Sequence, residues 1–110
     1  MERIVLVSKM MEKTNFLEKA LKLVGKKFDL LIIDSLASNK GKRRFNQMLK
    51  DIPSSNPRML SLRLKELERN GLVTKSLVLG TPVKTEYALT ERAEELAEIT
   101  SKLKLWAEKH

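Results

Sequence analysis

The stretch Ile52–Val73, IPSSNPRMLSLRLKELERNGLV, constrains the chain most tightly, because it carries its own start and stop signals. Asn56 offers a side-chain oxygen to cap a helix, and Pro57 suits the first helical position, where its missing N–H would be unpaired anyway. Gly71 supplies the left-handed residue that ends such a helix. At about 100° per residue, Leu60, Leu64 and Leu67 stack on one face. Arg58, Leu62, Lys65 and Arg69 lie almost opposite. One side therefore seeks a core and the other is basic. A basic helix back is often merely solvated, so its surroundings decide what it means.

Those surroundings are basic too. Residues 40–75 hold ten basic groups (Lys40, Lys42, Arg43, Arg44, Lys50, Arg58, Arg63, Lys65, Arg69, Lys75) and three acidic ones, a balance of +7 within a chain total of +8. Residues 1–39 carry +2 and residues 76–110 carry −1. A charge concentrated in one third of the chain points to a polyanion, whose phosphates release counterions when neutralised. An anionic membrane surface would want bulky apolar residues interleaved with the charges, and only Leu62 offers this. No apolar run approaches the ~20 residues needed to cross a bilayer, and no signal-peptide pattern follows Ile4–Val7, so the expected location is cytoplasmic. The sequence contains no cysteine, which removes disulfides, thiolate metal sites and thiol chemistry. No metal or cofactor motif is present, so none is expected.

With 110 residues the chain makes one modest domain. Residues 1–13 form an apolar arm of ambiguous period, with a subunit contact as one reading of it, and residues 14–110 form the domain proper. Asn15 caps a first helix with Leu17, Leu21 and Val24 on one face, stopped by Gly25. A second helix, from about Lys27 to Ala37, is apolar almost all round and belongs in the middle. Ser38–Gly41 is a turn, and a short third helix runs from about Arg44 to Lys50 with Phe45, Met48 and Leu49 inward. Its pairing with the Asn56–Asn70 helix makes a helix-turn-helix. After Gly71 the period changes: Leu72–Leu77 and Val83–Leu89 flank the turn signal Gly80-Thr81-Pro82. This hairpin is a two-stranded wing. Thr90 then caps a long last helix in which Leu96, Ile99, Leu103 and Trp106 recur on one face. The fold class is α+β, mostly α: a winged helix-turn-helix with a C-terminal dimerisation helix through those four residues.

From Asn15 onward the chain resembles the HxlR family of winged-helix transcriptional regulators. Carrying the resemblance are Gly25-x-Lys27-Phe28, Arg44-Phe45-Asn46, Pro57-Arg58-Met59-Leu60-Ser61-x-Arg63-Leu64-x-x-Leu67, Asn70-Gly71-Leu72-Val73, Glu86-Tyr87-x-Leu89-Thr90 and Trp106. The resemblance implies a homodimer on an inverted repeat of double-stranded DNA, in a family of which some members respond to small reactive molecules. This chain departs from the pattern at several points. Phe28 stands for a usual tryptophan, Ala93 for a usual glycine, and Thr81-Pro82-Val83 for a Val-Pro-Pro wing tip. Asn15 falls where many members place a sensing cysteine, and Leu62 where a polar residue is common.

The leading function is therefore a sequence-specific DNA-binding regulator. Lys42, Arg43, Arg44 and wing residue Lys84 are expected on phosphates, and Ser55, Arg58, Ser61, Leu62 and Lys65 near base edges. Leu62 suits a thymine methyl. Arg63 sits at the border of the leucine face, where its stem packs and its head pairs with an acid. The alternative, a winged helix used for protein contact in a larger nucleic-acid machine, calls for a neutral or apolar recognition face, against the +7 segment. An enzyme is the weakest reading, since His110 is terminal and Glu91, Glu94, Glu95 and Glu98 make a solvated helix face. The sequence assigns no effector.

Overall fold

The computed structural model describes residues 15–110, so the N-terminal arm lies outside the described residues. Helix α1 (Phe16–Val24) starts where Asn15 Oδ1 accepts the Glu18 N–H at 3.0 Å. Helix α2 (Asp29–Ala37) begins two residues after the expected start at Lys27. It is central, with Ile32, Ile33 and Leu36 fully buried. A short strand β1 (Lys42–Arg44) leads directly into α3 (Phe45–Asp51), and α4 (Pro57–Arg69) follows a five-residue turn. Strands β2 (Val73–Val78) and β3 (Lys84–Leu89) form the wing, and α5 (Glu91–Lys109) closes the chain.

The sheet corrects one expectation. It has three strands in the order β1-β3-β2, all antiparallel, with Lys42 opposite Ala88 and Arg44 opposite Glu86. The wing hairpin pairs in register from Val73↔Leu89 to Val78↔Lys84. Residues 42–44, expected at the crowded entry to a helix, are instead strand, because β3 presents an open edge to them. The Leu89 N–H reaching Gly41 O at 2.9 Å continues that pairing.

One core joins these elements. Val24, Phe28, the three α2 residues, Met48, Ile52, Leu60, Leu64, Leu67, Leu72, Val73, Tyr87 and Ala93 are its buried members. All five helices and both wing strands contribute to the core or to its half-buried fringe, which fixes the helix-turn-helix and the wing relative to α5. Asn56 Oδ1 caps α4 by accepting the Met59 N–H at 2.9 Å, and Thr90 Oγ1 caps α5 by accepting the Ala93 N–H at 3.3 Å. Gly71 takes φ +74°, the left-handed turn that swings the chain from α4 into β2.

Candidate nucleic-acid interface

Helix α4 is held on one side and open on the other. Leu60, Leu64 and Leu67 are buried, while Arg58, Ser61 and Lys65 are exposed and Leu62 is half exposed. Arg69 is also exposed and leans on Glu66 at 3.5 Å, a separation at which little is gained in water. Both ends of the helix are tied down. At its C-terminus Arg92 donates to Asn70 O at 2.8 Å and Thr90 Oγ1 donates to Gly71 O at 2.8 Å, so α5 satisfies the carbonyls there. Ser55 has an intramolecular partner. Its hydroxyl donates to Ile52 O at 2.7 Å and closes the turn before α4, so it is half-buried and already committed.

Arg63 pairs as its border position implied. Its Nε donates to Asp29 Oδ1 at 2.8 Å and its Nη2 to Oδ2 at 3.2 Å, with Asp29 fully buried. The Lys26 N–H adds a third donor to Oδ2 at 2.9 Å.

Of the three basic residues before α3, the structure separates one from the other two. Arg43 is already paired: its guanidinium forks onto Asp51, Nε to Oδ2 at 2.8 Å and Nη2 to Oδ1 at 2.9 Å, and Ser35 Oγ joins the same carboxylate at 2.8 Å. The hydrogen bond from Arg43 holds the Asp51 carboxyl below its ordinary 3.8, and the same bond raises Arg43. Arg43 therefore braces β1 against α3 with its charge already matched. Lys42 is exposed and Arg44 is partly so. Arg44 lines an open cleft of about 430 Å³ between the start of α3 and the wing, together with Lys50, Lys84, Phe45, Asn46 and Val83. Among the described residues none of Arg44, Lys50 and Lys84 enters an ion pair. Sequence reading missed Lys50, although it lies on the outer side of a helix whose Met48 is buried. It also missed Lys75, which lines a smaller hollow with Ser61, Lys65, Glu68 and Tyr87. Strand alternation could have placed Lys75 on the side of Tyr87, its cross-strand partner. Burial raises the Tyr87 phenol, with the Glu68 carboxylate adding to it.

A second face lies at the outer side of α1 and α5. Ile99, Leu103 and Trp106 are each more than half exposed, and so are Phe16, Leu17 and Leu21. Leu96 differs from its three companions, being half-buried against the core. A shallow apolar groove of about 200 Å³ runs between the helices past Ala20, Leu23, Leu96 and Ile99. Among the described residues no helix is long and apolar enough to cross a membrane, and no three His, Cys, Asp or Glu side chains gather as a metal site.

This arrangement has close counterparts. The family model described as HxlR-like helix-turn-helix matches residues 23–110. The uncharacterised HTH-type transcriptional regulator YvaP of Bacillus subtilis is 38% identical over 90 residues, covering 82% of this chain and 82% of that protein. The HTH-type transcriptional regulator YodB of the same organism is 38% identical over 92 residues, covering 84% and 80%. Among solved structures, the redox regulator HypR in its oxidised form is similar with a TM-score of 0.76 at 35% identity, covering 86% of this chain and 95% of that one. The fold, a helix-turn-helix followed by a β-hairpin and a long helix, agrees with these likenesses in sequence and shape. The chain belongs to the HxlR-like helix-turn-helix family of DNA-binding transcriptional regulators.

Proposed function

We propose that this regulator binds an inverted repeat of double-stranded DNA as a homodimer, with α4 in the major groove of each half-site. The observation that carries the reading is the two-sidedness of α4, leucines buried within the domain and Arg58, Ser61, Leu62 and Lys65 left outside it. Arg58 and Lys65 have the donors for guanine O6 and N7, and Leu62 has the surface for a thymine methyl. Lys42, Arg44 and Lys84, joined by Lys50, hold the phosphates that set register. Arg43 and Ser55 support the site from behind through Asp51 and the turn before α4. The dimer forms on Ile99, Leu103 and Trp106 with the outer side of α1, and Leu96 bridges that face to the core. Twofold symmetry then sets the two copies of α4 about one helical turn of DNA apart. The protein works where the DNA is, in the cytoplasm. The basic outward face of α4 gives no support to the alternative as a protein-contact module. Regulation by thiol chemistry is closed to a sequence without cysteine, and Asn15 serves as a helix cap instead.

Selection of bound fragments from random duplex DNA tests the proposal. It is expected to return one sequence arranged as an inverted repeat. A pool that stays random after repeated selection would refute base reading by α4.

A further inference from the structure

Four basic residues lie on α4, and Arg63 alone turns inward. A buried ion pair is weak evidence for stability, since apolar residues of similar volume often serve as well or better. The pair between Arg63 and Asp29 therefore calls for another reason. All the hydrogen bonds it needs are made: Asp29 accepts at 2.8 and 3.2 Å from Arg63 and at 2.9 Å from the Lys26 N–H, and among the described residues no buried side-chain polar atom lacks a partner. A planar fork of this kind fixes an angle as well as a distance.

That angle is what the leucine face does not supply. Leu60, Leu64 and Leu67 hold the helix by apolar contacts, which are non-directional and weaken only gradually with a small roll about its axis. A roll of ~10° moves an atom ~6 Å from the axis by about 1 Å. Hydrogen bonds of 2.7–3.2 Å do not survive such a shift. The outward residues Arg58, Ser61, Leu62 and Lys65 shift with such a roll, and the fork shifts with them. Asp29 is also a well-referenced anchor. It is the first residue of α2, whose Ile32, Ile33 and Leu36 are fully buried. Further along α2, Ser35 donates to Asp51 at the end of α3 and Asp34 accepts from Lys104 of α5 at 3.0 Å.

We infer that the Asp29–Arg63 pair sets the roll of the recognition helix, so that both residues determine sequence specificity without reaching the DNA. They are positioning residues, acting through Arg58, Ser61, Leu62 and Lys65. The inference rests on the reading that α4 reads base edges.

The test removes the pair without stranding a charge, by Asp29→Leu together with Arg63→Met in the full chain. Thermal melting and titrations on two duplexes follow, one duplex selected by the wild-type protein and one random. We expect a cooperative melt, nearly unchanged affinity for random DNA, and roughly tenfold or greater weakening on the selected duplex, the factor one lost base contact is worth. Arg63→Lys is the second variant; it keeps the charge but loses the fork, and it is expected to lose discrimination too. It decides alone if the double variant does not fold. A folded double variant with the wild-type ratio of selected to random affinity overturns the inference, as does full discrimination by Arg63→Lys. Wild-type protein that binds both duplexes alike overturns the base-reading assignment itself, and the inference falls with it.

Discussion

Replacing Trp106 by alanine isolates the proposed subunit contact from the fold. The ring is 61% exposed, belongs to no part of the buried core, and stacks on His110 with centroids 5.1 Å apart. A covered tryptophan buries about 150–250 Å², so a partner seated on this one removes roughly 120 Å² from water per copy. At ~25 cal/mol per Å² that is about 3 kcal/mol, and twofold symmetry counts it twice. Association retains only part of such a sum, because ordering and desolvation offset the rest. Retaining half of it, about 3 kcal/mol per dimer, still raises the dimer Kd more than a hundredfold. Sedimentation at micromolar concentration is the assay. Wild-type protein should run at twice the chain mass and Trp106→Ala largely as monomer, with its helical circular dichroism kept. An unchanged dimer constant for the variant would refute the placement of the interface on α5.

Two further outcomes follow from the fold. Asp51 is held below its ordinary 3.8, chiefly by Arg43 and also by Ser35. A depressed carboxylate contributes stability that is present above the unfolded value and lost as pH falls through the folded one. Melting temperatures measured across that acid range should fall less steeply for Asp51→Asn than for wild type, and equal slopes would exclude this pair as the source. Gly71 at φ +74° has room for a side chain, with Arg92 Nη1 at 3.6 Å from an added Cβ, so Gly71→Ala should cost backbone strain alone. Denaturant titration should show a loss of about 1–2 kcal/mol, and Gly71→Asn, which tolerates that conformation better, should lose less.

Much of this fold was legible because its signals are local. Asn15, Asn56 with Pro57, Gly71 and Thr90 each act within a few residues, and each sits at the helix end it was read to mark. The leucine face of α4 and the inward turn of Arg63 follow from one helical angle. The misses are tertiary. Nothing in Lys42-Arg43-Arg44 reads as a strand, and only the open edge of β3 makes it one. The acid that claims Arg43 lies eight residues on, across the whole of α3. Ser55 has the chemistry for a base contact, but the turn uses its hydroxyl first. Lys50 joins Arg44 and Lys84 only because the wing folds back beside α3. On α1, Leu17, Leu21 and Val24 read as one face, yet Val24 is buried in the core while Leu17 and Leu21 stay exposed outside it. The period of a helix does not say whether a face meets its own core or another molecule.

The central claim, that α4 reads bases while the α3–wing cleft holds phosphates, is tested most directly by comparing Arg58→Ala with Arg44→Ala. Affinities are measured on the selected and on a random duplex at several salt concentrations. Arg44→Ala should weaken both duplexes alike and reduce the salt slope by about one unit per subunit. Arg58→Ala should cost roughly 1–3 kcal/mol on the selected duplex and relax discrimination at one position of each half-site. Equal weakening of both duplexes by Arg58→Ala would contradict the account, since the outward face of α4 would then be holding backbone and the sequence would be read elsewhere.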